Sequence, residues 1–73
     1  MKKKEFILEV MTQQDRLKKK GVNVCFRVSA HNEVFEVYNE SKACREIGCI
    51  YLDWSEEHVQ SNMKKILTKL KSM

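Results

Sequence analysis

Cys25, Cys44 and Cys49, with His31 and His58, are five potential zinc ligands, and the thiols are also candidate nucleophiles. Their spacing does not favour either role. Structural zinc sites take their ligands in local pairs such as CxxC or HxxxH, and no such pair occurs here. Three cysteines at irregular intervals also do not fit the even, dense framework of a small disulfide scaffold. They read as free thiols in a reducing compartment, behaving as small apolar residues; Cys44 in particular reads as a buried residue on a short helix. His31 falls in an expected turn and His58 on an expected helix surface, both in solvent. The chain has no GxxxxGK[ST] or GxGxxG phosphate loop and no acidic run with calcium-loop spacing. Catalytic pockets are usually built on glycine-rich or long loops, and with two glycines in 73 residues neither is expected. The reading is a non-catalytic binding module without cofactor or metal.

Size and composition set the frame for that module. At 73 residues the chain reads as one domain with a thin core, although 42 % hydrophobic residues is ample for a folded one. No apolar run exceeds the four residues Cys49–Leu52, far short of the roughly 20 needed to cross a bilayer. The start, MKKKEFILEV, has the charge of a secretion signal, but Glu9 and the polar stretch 12–16 interrupt its apolar part. The expected location is the cytoplasm, away from membranes.

Charge is unevenly placed. Residues 1–20 carry seven basic and three acidic side chains, residues 21–58 three basic and seven acidic, and residues 59–73 four lysines and no acid. The net +4 therefore conceals basic ends around an acidic middle. If the terminal segments lie together, their lysines join into a basic surface able to contact phosphates.

Periodicity supplies the elements that must position these charges. From Lys3 to Lys20, Ile7, Val10, Met11 and Leu17, with Gln14, follow helical spacing, and Gly21 turns the chain out. Val22, Val24, Phe26 and Val28 alternate with polar residues or Cys25, as in a strand with one face buried. Ala30-His31-Asn32-Glu33 offers turn chemistry and Val34–Tyr38 a second strand, giving an antiparallel hairpin at about Val22–Tyr38. Ser41–Ile47 reads as a short helix stopped by Gly48, and Cys49–Leu52 as a third short strand or a buried connector. A C-terminal helix from about Trp54 to Lys71 follows, capped by Asp53 with Glu56 at capping-box spacing. Val59, Met63, Ile66, Leu67 and Leu70 form its apolar stripe. The expected class is α+β: N-terminal helix, antiparallel β-hairpin, short helix and C-terminal amphipathic helix, the helices covering the hairpin's apolar face.

The stretch EVFEVYNESKACREIGC, residues 33–49, resembles the nuclease-associated modular motif of phage homing endonucleases and related mobile-element proteins. In that motif a strand leads into a helix of the type S-x-x-E-A-A-R-x-L-G-I, followed by a second helix that contacts DNA. Ser41, Ala43-Cys44-Arg45, Ile47-Gly48 and Cys49 occupy the corresponding places. The resemblance implies a DNA-binding regulator or accessory factor of a phage or mobile element. In this chain, however, Ile50–Asp53 separates the glycine from the next helix, and Glu56 and Glu57 open that helix. Glutamates there would repel phosphates, so contact is expected from cations elsewhere.

Two functions follow. The first is nucleic-acid binding, to DNA or RNA, through Lys18, Lys19, Lys20, Lys64, Lys65 and Lys71, with Arg27 and Arg45 as lesser contacts. The second is protein binding, as a homodimer or a small inhibitor or adaptor, with Tyr38, Tyr51 and Trp54 as aromatic anchors.

Overall fold

The computed structural model describes residues 1–29, 34–43 and 45–73. The fold is α+β. Helix α1 spans Lys3–Lys18, strands β1 (Val24–Ser29), β2 (Val34–Asn39) and β3 (Arg45–Tyr51) follow, and helix α2 spans Glu56–Ser72. The strands form an antiparallel sheet in the order β1-β2-β3.

The exit from α1 follows directly from Gly21. The Val22 N–H reaches the Leu17 carbonyl at 3.0 Å and the Gly21 N–H reaches that of Lys18 at 3.0 Å. This is the bond pattern of a Schellman motif, and Gly21 supplies its left-handed position at φ +82°. Val22 packs back on the core and directs the chain into β1.

Register assigns the two faces of the sheet. Phe26 pairs with Val37 and Val37 with Gly48, while Val28 pairs with Phe35 and Phe35 with Ile50. These rows turn toward the helices. The Phe6 ring of α1 lies edge-on to Phe26 at 6.2 Å and stacks on Phe35 at 6.0 Å. A side chain at Gly48 would meet Cγ1 of Ile66 in α2 at 2.5 Å. Both helices therefore cover the same face, with Val10, Leu17, Met63 and Leu70 buried beneath them. Val28 belongs to this face by register but lies 50 % exposed on an edge strand.

α2 buries the five residues its stripe predicts: Val59, Met63, Ile66, Leu67 and Leu70. Its N-cap is Ser55, whose Oγ accepts from the His58 N–H at 3.3 Å, rather than Asp53. Asp53 falls in the turn after β3, where the Trp54 N–H bonds to the Tyr51 carbonyl. α1 departs further from expectation. It buries Phe6, Val10, Gln13 and Leu17, while Met11 faces solvent and Ile7 and Gln14 are only half-buried. Gln13 can be inside because its Oε1 accepts from Arg16 Nε at 2.8 Å.

The largest correction concerns the short helix expected at Ser41–Ile47. It contracts to a single 3-10 turn at Glu40–Lys42, which Asn39 opens by accepting from the Ser41 N–H at 3.0 Å. Ala43 then takes a left-handed conformation at φ 54°, which ends the turn, and Arg45 begins β3. Gly48 is thus not a helix stop. It lies within β3, where it lets Ile66 approach. The pairing skips Ile47, because Val37 faces Gly48 while Tyr38 faces Glu46, so a bulge interrupts the strand's alternation. The residues that the nuclease-motif resemblance would place on a helix at 45–47 are accordingly in a strand. The turn expected at Ala30–Glu33, His31 within it, and Cys44 lie outside the described residues.

Candidate nucleic-acid interface

α1 and α2 run side by side in the same direction. At one end Gln60 Nε2 donates to the Met1 carbonyl at 2.6 Å. At the other, Arg16 Nη2 donates to the Leu70 carbonyl at 2.8 Å. Parallel packing brings both carbonyl-rich helix ends together, an arrangement that repels unless cations offset it. Arg16 does so directly, capping one helix from the other. The lysines at and just past the C-terminal turns then share one end of the molecule: Lys18, Lys19 and Lys20 at the end of α1, and Lys69 and Lys71 in the last turn of α2.

The sheet adds to this end. Arg45 opens β3 and pairs with Asn39, which in turn stands next to Val24 in register. A groove between β3 and the last turns of α2 is lined by Arg45 and Lys69, with Glu46, Ile47 and Ser72. Lys69 Nζ donates to the Ile47 carbonyl at 3.2 Å, which occupies a backbone acceptor at the edge of the sheet. Asp15, Glu40 and Glu46 also belong to this half of the fold, so the surplus is cationic rather than uniform. Lys64 and Lys65 are exposed further back along α2, and Lys64 lines a second groove with Lys71, Met1 and Gln60.

Of the cations expected to act on nucleic acid, the structure therefore gathers Lys18, Lys19, Lys20, Lys71 and Arg45 at one end. It places Lys64 and Lys65 along α2 beside them. Arg27 is elsewhere. It stands on the outward sheet face, 3.9 Å from Glu36 and 5.8 Å from the Tyr38 ring centre. Lys69 was legible only as a helix-end lysine. Its place opposite Arg45 depends on the first half of β3, where the sequence reads as a helix.

Among the described residues no element covers the outward sheet face, which carries its own small network. Tyr38 donates to Glu36 Oε2 at 2.6 Å. That hydrogen bond, with desolvation and the nearby charges of Glu36 and Glu46, pushes the Tyr38 hydroxyl up to about 12, the Arg27 charge opposing weakly. Burial, with help from Glu46 and Glu36, also raises the Cys49 thiol above its ordinary value. A thiol held protonated is a poor nucleophile.

Of the three aromatic anchors expected for a protein partner, Tyr38 stands apart from the other two. Tyr38 lies half-buried in the outward network. Tyr51 and Trp54 meet at the corner between β3 and α2, with ring centres 5.3 Å apart. Trp54 also packs edge-on against His58 at 4.3 Å and lies against the core, while Tyr51 is 44 % exposed.

Among the described residues no group of three His, Cys, Asp or Glu side chains could hold a metal ion, and no helix is long and apolar enough to cross a membrane. No protein-family model, curated protein or solved structure matches the chain.

Proposed function

We propose that this chain is a small, non-catalytic nucleic-acid-binding module that contacts the phosphate backbone through the joined ends of α1 and α2. The observation that carries the reading is the Arg16–Leu70 bond, which fixes the two lysine-rich helix ends side by side. Dipole complementarity alone accounts for lysines at each helix end. It does not account for a third contributor, Arg45, reaching the same end from the sheet. Lys18, Lys19, Lys20, Lys69, Lys71 and Arg45 are the principal contacts, and Lys64 and Lys65 extend the surface along α2.

Contacts of this kind position a protein on a backbone without reading bases. The start of α2 is excluded as a groove-reading element by Glu56 and Glu57, which sit at the opposite end of the helix from Lys69 and Lys71. Binding is thus of the sequence-tolerant kind, with a dissociation constant of order 10⁻⁴–10⁻⁶ M at physiological salt. Fluorescence anisotropy with labelled duplex DNA, duplex RNA and single strands tests this. Saturable binding at low salt that weakens steeply as salt rises is expected for at least one of them. Failure of all of them to bind at low salt would overturn the reading.

A further inference from the structure

α1 carries an apolar face that the fold does not use. Its inward side is committed: Phe6, Val10, Gln13 and Leu17 are buried, Gln14 Nε2 donates to the Val24 carbonyl of β1 at 2.6 Å, and Arg16 is bonded to α2. On the opposite side Leu8 is 63 % exposed and Met11 49 % exposed. Lys4 and Asp15, both exposed, continue the same stripe one turn before and one turn after. The spacing of 4, 8, 11 and 15 is four, three and four residues, the seam of a two-helix coiled coil.

We propose that a second copy of this chain occupies this face, pairing α1 with α1 in antiparallel, two-fold fashion. The stripe selects its own reverse. Read backwards it presents the same kinds of residue in matching places, so Leu8 of each copy faces Met11 of the other, and Lys4 of each faces Asp15 of the other. A two-fold interface needs this self-complementarity, in which residue i meets residue j and j meets i. A parallel pair would set lysine against lysine at one end and aspartate against aspartate at the other, and is rejected. The apolar pair supplies the attraction and the two ion pairs fix the direction. With one short helix from each copy, the contact belongs to the weak, concentration-dependent class rather than the obligate one. It rests on the outer face of α1 alone and stands or falls independently of phosphate binding at the basic end.

Sedimentation equilibrium from about 10 μM to about 1 mM tests it. The wild-type mass is expected to rise from 8.7 kDa toward twice that value. Leu8→Gln with Met11→Gln removes surface residues only, so the fold is retained, and the association constant is expected to fall at least about tenfold. Lys4→Glu alone and Asp15→Lys alone each set like charges opposite one another and are expected to weaken self-association several-fold. An equimolar mixture of these two variants restores both ion pairs across a mixed dimer, and association returns. A wild-type mass that stays monomeric throughout would overturn the proposal. So would self-association unaffected by the Leu8/Met11 double change, or a mixture that associates no better than its components.

Discussion

α1 and α2 lie parallel over one face of the sheet and are nearly equal in length, yet they distribute their apolar residues differently. α2 places all five members of its stripe in the core and gives its other side to charged and polar residues. α1 divides its apolar residues between two sides: Phe6, Val10 and Leu17 go inward, Leu8 and Met11 outward. It even buries Gln13 while leaving Leu8 in water. Leu8 and Met11 are therefore free to serve an external contact, whereas the stripe of α2 is fully spent on folding.

The sharpest way to break this contrast is to truncate one leucine on each helix. Leu70 is fully buried, and Leu70→Ala is expected to cost about 2–5 kcal/mol through lost burial and the cavity left behind. Leu8→Ala should stay within about 0.5 kcal/mol in dilute solution, where no second copy is bound. Urea unfolding at low protein concentration reads both values, and equal costs would erase the distinction.

A smaller effect tests how α2 meets the sheet. Gly48→Ala would place its Cβ 2.5 Å from Ile66 Cγ1 and 2.9 Å from Cδ1. The crowding is expected to destabilise by about 1–3 kcal/mol. Shortening the opposing residue with Ile66→Ala should absorb most of that clash, so the double variant is less unstable than the two single costs combined. Additive costs would show that the two residues do not touch.

The smallest effect lies on the outward sheet face. Tyr38 is expected to ionise at about 12, against an ordinary value of 10.0, because its neutral hydroxyl donates to Glu36. The folded state thus favours the protonated phenol. Its contribution is intact below pH 10 and is lost as pH rises through about 12. Ultraviolet titration of tyrosinate should show one late-ionising residue that disappears in Tyr38→Phe and moves toward the ordinary value in Glu36→Ala, which removes the acceptor. No change in Glu36→Ala would remove the hydrogen bond as the cause.

The same contrast explains which parts of the fold were legible in the sequence. α2 and β1 each carry one dominant period, and both stand where that period puts them. In α1 two apolar stripes overlap on one helix, and only packing against Phe26 and Phe35 decides that Phe6 turns inward. The second half of β3 is legible as the short strand offered at Cys49–Leu52, but its first half is hidden because the bulge at Ile47 interrupts the alternation and Gly48 reads equally well as a helix stop. Nothing local announces that Ala43 takes a left-handed turn. At the candidate site the individual lysines were visible as charge runs. Their adjacency depends on Arg16 reaching Leu70 across 54 positions of sequence, a relation that no local pattern contains.

Salt dependence of binding, compared between the two ends of the molecule, tests the central claim most directly. Replacing Lys18, Lys19, Lys20 and Lys71 by Gln should weaken binding to duplex DNA and flatten the plot of log K against log salt, by about 0.9 for each phosphate contact removed. Lys2→Gln with Lys3→Gln, at the opposite end of α1, should leave that slope unchanged. A slope that falls equally for both sets would mean that binding responds to net charge alone. An unchanged slope in the first set would contradict the assignment of the joined helix ends as the phosphate-contacting surface.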